Sequence, residues 1–345
     1  GNGVTRENGL LLNWRRETRN FGELEAEGAL LNVSSDAGRS EQPSTGTLLT
    51  LRQHDFAITN DLLMQNSIGI DRTWFDPVLA SSYRFKLPST LLVGANTQLS
   101  SDAGDFRFSA GRLGRLDSGQ VQTFETTEGS IVSAGFSKNP TDRLHTGIQL
   151  VHVEGAQNVV DHASAAGVVE YRDAPGGRRY QGHFLADSEG AAGLWFDGEV
   201  LSGRWRNRFG AYRLGPGLLW TDAAMANDQQ GFYSRMDMQT LRYQQAGGLE
   251  YNIRDIEDDP LRSGTRSITA FVTGNRQLGR LTSVGGAFNL RDSTSTDNAV
   301  SGGDSRTIRL TVHGSHKLAV GTARLQLLLA DIENGPNHGS GSGIT

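Results

Sequence analysis

The stretch RWRNRF, residues 204–209, places an arginine at every second position and sets two aromatic side chains between them. On a helix these side chains would be spread around the axis. On a strand the arginines share one face, while Trp205 and Phe209 share the other. A soluble sandwich would bury the aromatic face, whereas a transmembrane barrel would turn it to lipid and the arginines to a wet lumen. The stretch therefore predicts a strand with two chemically opposite faces, and the rest of the chain must decide its environment.

The same period of two recurs along most of the chain. GELEAEGALLN, residues 22–32, alternates glutamates with small or apolar residues, and DFRFSAGR, residues 105–112, alternates phenylalanines with polar residues. This is the period of a strand and not the 3.6-residue period of a helix. Clusters of Gly, Asp, Ser and Pro separate the runs, and counting the runs gives roughly 14 to 18 strands, with about 16 preferred.

Composition excludes several classes of protein. The chain has 44 glycines and 8 prolines, and hydrophobic residues make up 36%, which disfavours a helical fold. It contains no apolar run near the ~18 residues that a membrane helix needs. A net charge of −5 without a basic arm argues against nucleic acid as a partner, and the absence of cysteine excludes disulfides and thiolate metal sites.

The apolar face favours a membrane barrel over a soluble sandwich. In residues 106–110 and 284–290 this face mixes large side chains with Gly or Ala. A soluble core needs tight packing of large side chains, whereas fluid lipid accepts small ones. We therefore predict an all-β fold, an antiparallel up-and-down transmembrane β-barrel of about 16 strands. It would form a single domain over residues 1–333, followed by a flexible Gly/Ser-rich tail over residues 334–345. The aromatic residues expected in interfacial girdles are Trp14, Tyr83, Trp195, Tyr212, Trp220 and Tyr233.

One region resembles part of a chaperone–usher pore, the outer-membrane barrel that assembles and secretes fimbriae. The resemblance lies between Asp76 and Gly155 and covers under a quarter of the chain. Its motifs are a strand ending in Tyr83 and Arg84, a TL strand over residues 90–94, a glycine-punctuated hairpin with Gly111, Gly114 and Gly119, and a strand ending in Ser137 and Lys138. The resemblance implies a translocation pore and carries over no functional residue. No stretch stands out as a plug or a constriction loop.

The sequence offers little for catalysis or metal binding. His313 and His316 are three residues apart, which puts them on opposite faces of a strand. The run DIEDDP, residues 255–260, gathers carboxylates without the ligand spacing of a calcium loop, and we interpret it as a solvated loop. No nucleophile elbow or phosphate-binding loop is present. We therefore expect no enzyme activity, no catalytic residue, no metal and no cofactor.

The charged rows are the candidate functional residues. If the barrel prediction holds, the residues expected to line the pore are Arg204, Arg206, Arg208, Glu23, Glu25 and Glu27. We predict a pore in the outer membrane of a Gram-negative bacterium, serving as a translocation or secretion channel, with outer-membrane lipid and periplasmic or secretion-machine proteins as partners. The alternatives are a general diffusion porin and a soluble, surface-exposed all-β binding module such as an adhesin or a carbohydrate-binding sandwich.

Overall fold

The computed structural model describes residues 5–35, 45–116, 124–157, 159–173, 177–222, 225, 227–257, 264–296, 304–335 and 337–344. Within them all extended regular structure is β. The strands are β1 (Thr5–Thr18), β2 (Gly22–Ser35), β3 (Thr45–Thr59), β4 (Leu62–Arg72), β5 (Leu91–Ser101), β6 (Gly104–Leu116), β7 (Phe124–Thr141), β8 (Leu144–Glu154), β9 (His162–Arg172), β10 (Arg178–Asp187), β11 (Ala192–Ser202), β12 (Trp205–Leu214), β13 (Gln229–Gln239), β14 (Tyr243–Arg254), β15 (Thr265–Gln277), β16 (Thr282–Ser295), β17 (Ser305–Leu318), β18 (Gly321–Asn334) and β19 (Asn337–Ile344).

These strands form an antiparallel up-and-down sheet in which each pairs with the next along the chain. In the first hairpin Thr18 pairs with Gly22, and in the β11–β12 hairpin Ser202 pairs with Trp205. Short turns of this kind need glycine where the backbone takes a positive φ. Gly104, at the turn from β5 to β6, has φ +141°, and a Cβ there would come within 2.5 Å of the Ser137 carbonyl oxygen. Closure of this sheet into a barrel stays a prediction.

The predicted strand count was too low. The described residues form 19 strands, against the expected 16 or so. One of the additional strands is β19, which lies where we predicted a flexible tail and pairs with residues 327–334 of β18. Alternation of apolar and polar residues could not reveal it, because NHGSGSGI has glycine at every second position over most of its length and no large side chain until Ile344. The prediction of one domain over residues 1–333 is not tested by this finding.

Two compact units make up the chain. Unit 1 contains Gly1–Val169, Leu185–Gly190 and Leu219–Met225. Unit 2 contains Glu170–Phe184, Ala191–Leu218 and Ala226–Thr345. Each is described by itself below.

In unit 1 polar side chains lie on the buried side of several strands and large apolar ones on the exposed side, although Val151 and Val153 share the buried side of β8 with Gln149. In β8 the side chain of Gln149 is 0% exposed, whereas its neighbours Ile148 and Leu150 are 46% and 52% exposed. In β6 the charged side chain of Arg107 is also buried, and its Nη2 lies 3.0 Å from Asp105 Oδ2. A soluble sheet would show the opposite distribution.

Unit 2 has the same reversed polarity. In β11 Leu194 and Phe196 are 66% and 41% exposed, while Asp197 is 6% exposed and accepts a hydrogen bond from the Tyr233 hydroxyl. The buried side of these strands is called the polar face and the exposed side the apolar face. Many large apolar side chains among the described residues of both units are therefore exposed.

The aromatic residues do not all lie where girdles would need them. Four of the six expected girdle residues are buried, and they are Trp195, Tyr212, Trp220 and Tyr233. They lie on the polar face or in a connecting segment. Tyr212, Trp220 and Tyr233 donate hydrogen bonds there, as from Tyr212 to Asn252 at 3.1 Å, while the Trp195 ring stacks on His183. Only Trp14 and Tyr83 are exposed. Across the described ranges, no helix is long and apolar enough to span a membrane.

Candidate functional site

The connection between β4 and β5, residues 73–90, is an ordered, irregular segment, here called the inward segment. Pro77 lacks an N–H and ends any strand pairing, and the Asp76 side chain forms a turn by accepting a hydrogen bond from the Val78 N–H at 2.9 Å. The segment then doubles back, because the Leu87 N–H donates to the Leu79 carbonyl at 3.4 Å. Leu79 and Leu87 are both buried, which gives the segment a small apolar core of its own.

The inward segment is fastened to the polar face of unit 1. The Trp74 N–H donates to Ser109 Oγ of β6 at 2.9 Å. Asp76 Oδ2 lies 2.7 Å from His145 Nε2 of β8, and the Asp76 side chain is almost fully buried. Gly147, two residues after His145, leaves the space that the carboxylate occupies, because a Cβ at Gly147 would collide with Asp76 Oδ2. The segment therefore covers part of the polar face and is held there by a buried acid–histidine pair.

A second segment, residues 219–222, packs against the first. The Trp220 indole N–H donates to the Pro88 carbonyl at 3.1 Å, and the Trp220 ring meets Phe75 edge-on at a centroid distance of 5.3 Å. Thr90 Oγ1 donates to Asp222 Oδ1 at 2.7 Å. Trp220 is fully buried, so the two segments form one packed body.

The second segment also contacts the polar face of unit 1. Ser164 Oγ of β9 donates to the Leu219 carbonyl at 3.0 Å, and the Leu219 N–H donates to Asp187 Oδ2 of β10 at 2.8 Å. Both segments of the packed body therefore form hydrogen bonds with strands of the sheet.

One sequence-based expectation about this region was wrong. The sequence showed no clear plug or constriction loop and left open whether the lumen is plugged, and the inward segment lies on the polar face of unit 1. The usher resemblance placed Tyr83 and Arg84 at the end of a strand, whereas both lie within the inward segment, which contains no strand. The available signal was the length of the connection between two strands, because ordered loops of more than about 12–15 residues are uncommon unless they are functional.

The glutamate row lies on the polar face of β2, in unit 1, and is matched by cations. Glu23 pairs with Arg15, and Arg52 Nη1 lies 2.6 Å from Glu27 and 3.9 Å from Glu25. Arg52 also reaches Asp71 of β4 at 3.6 Å. The row therefore forms a cross-strand ion network rather than a ladder of unpaired carboxylates. Whether it lines a pore stays a proposal.

The arginine row is shorter than the sequence indicated. Arg206 and Arg208 lie on the polar face of β12 in unit 2, where Arg208 Nε is 2.9 Å from Glu199 and its Nη1 is 3.9 Å from Asp237. Arg206 Nε reaches the same Glu199 at 3.9 Å. Arg204 does not belong to the strand, because it sits with Gly203 in the two-residue turn between β11 and β12.

This group of charges extends to β13. Arg235 is paired directly with Arg208 in the sheet register, and its Nε lies 3.0 Å from Asp237. The group consists of Arg206, Arg208, Arg235, Glu199 and Asp237 and is here called the ion-pair group. Sequence reasoning found its arginines in β12 but missed the two carboxylates, which come from neighbouring strands.

One exposed cluster has the donor atoms of a metal site. Asp331, Glu333 and His338 bring their ligand atoms within 4.8 Å of one another on β18 and β19, and His338 Nε2 lies 3.0 Å from Asp331 Oδ1. Of the acidic run DIEDDP, residues 258–260 lie outside the described residues. His313 and His316 occupy opposite faces of β17, as their spacing predicts.

Comparison with known proteins gives structural likeness only. No family model and no curated protein matches the chain. Among solved structures, OpdK of Pseudomonas aeruginosa with vanillate has a TM-score of 0.41 and 10% identity, covering 99% of this chain and 95% of that one. OccK7 (OpdD) of Pseudomonas aeruginosa has a TM-score of 0.48 and 11% identity, covering 96% and 93%. A BenF-like porin from Pseudomonas fluorescens Pf-5 has a TM-score of 0.40 and 8% identity, covering 99% and 97%. Likenesses this weak determine neither family nor function, so the functional argument rests on the geometry of this chain.

Proposed function

We propose that this chain is a β-barrel pore of the Gram-negative outer membrane. The apolar face of each unit would contact lipid, and the polar face of each unit would face a water-filled lumen. The observation that carries the proposal is the reversed polarity of the strands, with residues such as Gln149 buried and residues such as Leu194 exposed. Lipid is therefore the partner that the chemistry of the apolar face requires.

The energetic argument favours lipid over water. Exposed apolar patches larger than a few hundred Å² are uncommon on soluble monomers. Here large apolar side chains are exposed on several strands of unit 2, for example Phe196, Phe232 and Leu249 in β11, β13 and β14. At about 25 cal/mol for each Å² of apolar surface, each such side chain gains on the order of 1–3 kcal/mol when it leaves water. In the soluble binding module that the sequence left open, these side chains would stay in water and this free energy would not be gained.

The inward segment favours passage of small solutes. It is held on the polar face by Ser109 and His145, and its apolar core and the ring of Trp220 stabilise it there. A lumen narrowed by a fixed segment suits small polar solutes, and movement of a folded protein would require the segment to leave. We therefore place a diffusion pore ahead of a secretion channel.

The test is refolding of the full chain from urea, with and without detergent micelles, followed by gel mobility and planar-bilayer recording. A heat-modifiable band formed only with detergent, together with steady unit conductance, is the expected result. Cooperative folding in plain buffer without a mobility shift would refute the proposal in favour of the soluble module. A folded barrel that conducts only after residues 73–90 are replaced by a short glycine linker would favour the secretion channel.

A further inference from the structure

A hollow of about 520 Å³ lies on the polar face of unit 2, next to the ion-pair group. The polar side chains that line it on this face come from β13, β14, β15 and β17, and they are Asp237, Gln239, Gln244, Thr273, Asn275 and His313. The strand register explains their convergence, because Gln239 pairs with Gln244 and Gln244 with Asn275. The set is here called the carboxamide hollow.

Small residues create the space. Ala246 and Ala287 form its floor between the polar side chains. Gly285, which pairs with His313 in the register, leaves room for the imidazole, because a Cβ there would lie 2.6 Å from His313 Nε2. The volume lies within the usual range of about 300–1,000 Å³ for small-molecule sites.

The chemistry of the lining selects for hydroxyl groups. Each carboxamide presents both a donor and an acceptor, and the Thr273 hydroxyl and the His313 imidazole do the same. The amides of Gln239, Gln244 and Asn275 have no side-chain hydrogen-bond partner within the described part of the chain, so they are available to a solute. A hydroxyl group is itself both donor and acceptor, so a polyhydroxylated solute can satisfy this lining at several points.

The charges around the hollow disfavour ionic solutes. Among the described residues, its lining contains no lysine or arginine, and its one carboxylate there is Asp237. Asp237 is already paired with Arg235 at 3.0 Å and lies 3.9 Å from Arg208. The described lining itself offers an anion no lysine or arginine, and a cation would compete with Arg208 and Arg235 for Asp237. A neutral solute meets neither penalty.

From this lining we propose that the carboxamide hollow binds a neutral sugar, a mono- or disaccharide, on its way through the lumen. The proposed sugar site rests on the proposed pore function, because the pore is the route by which the sugar reaches the hollow. Sugar binding itself can be measured without recording conductance. The hollow would then be the point at which the pore discriminates between solutes of similar size.

The test is calorimetric titration of the refolded full chain in a detergent without a sugar headgroup. The probes are glucose, maltose and, as the anionic counterpart of glucose, gluconate. We expect one of the two sugars to bind and gluconate to bind at least about tenfold more weakly. The variant carrying Gln244→Ala and Asn275→Ala should weaken sugar binding by about tenfold or more, since it removes two hydrogen-bonding amides. Asn289→Ala is the matched control, because Asn289 lies on the same face of β16 outside the hollow.

The outcomes separate the two proposals. Equal or tighter binding of gluconate, absence of binding by both sugars, or unchanged binding in the double variant would overturn the sugar site. If the double variant gives no heat-modifiable band, the Thr273→Val variant is titrated instead, and it too should bind the sugar more weakly than the unmodified chain. Sugar binding by a chain that fails to conduct would refute the pore and leave the site standing. Conductance without sugar binding would refute the site alone.

Discussion

Replacing Gly147 with alanine should release the inward segment. The added methyl group would occupy the position of Asp76 Oδ2, so the carboxylate must leave its contact with His145. A hydrogen bond to a charged group contributes about 1.5–3 kcal/mol, and loss of the turn bond to the Val78 N–H adds about 1 kcal/mol. A total of about 2.5–4 kcal/mol corresponds to a shift of roughly 60- to 700-fold in the equilibrium between seated and released segment.

The assay is single-channel recording of the refolded variant. The contacts of Trp74 and Thr90 remain, so we expect the lower end of that range, seen as at least a tenfold rise in the frequency of openings above the main conductance level. Gly182→Ala is the matched control, because nothing lies within 4 Å of a Cβ at that position in β10. Asp76→Ala should reproduce the effect, and the double variant should add nothing to it.

The reasoning would be refuted by a folded Gly147→Ala variant whose openings match those of the unmodified chain. The same holds if the control rises as much as the variant. In either case the acid–histidine pair would not be what keeps the inward segment on the polar face.

Three further predictions concern the two faces of the sheet and the packed body. Arg206→Gln combined with Arg208→Gln should move the reversal potential in a KCl gradient toward cation selectivity without loss of folding, whereas Arg204→Gln in the turn should move it much less; an unchanged potential in the double variant would remove both arginines from the pore. If Leu194 lies near the bilayer midplane, Leu194→Arg should destabilise the membrane-inserted form by about 2–4 kcal/mol, measured by urea unfolding in liposomes. A variant as stable as the unmodified chain would argue against contact between Leu194 and lipid. Trp220→Ala should lower the free energy of unfolding by about 3–5 kcal/mol, because it empties a fully buried site, and a loss under 1 kcal/mol would contradict the packing of the two segments.

Local alternation predicted many of the strands and their two faces, but it missed β19. In β6 the side chains of Phe106 and Phe108 are exposed and that of Arg107 is buried, as a period of two requires. The same rule failed at Arg204, because alternation continued past the hairpin turn, where Gly203 has a φ of +61°. The glycine was the available signal for a two-residue turn.

Contacts between distant parts of the chain could not be predicted. The hydrogen bonds of Trp220 to Pro88 and of Thr90 to Asp222 each join residues 132 positions apart. Neither segment has the period of a strand, so nothing local indicates that they pack together. The carboxylates of the ion-pair group were missed for the same reason, since each belongs to a strand adjacent to β12.

The ion-pair group has a consequence for how selectivity depends on salt. It contains three arginines and two carboxylates, with nitrogen–oxygen separations of 2.9 to 3.9 Å, so these five side chains carry a formal net charge of +1. The Debye length is about 8 Å at physiological ionic strength and about 3 Å at 1 M salt. Added salt therefore leaves the close pairs in place but shortens the reach of the residual charge. Ion selectivity due to this group should fade as electrolyte is added while the fold persists, so recordings in molar KCl would understate the discrimination that operates in dilute medium.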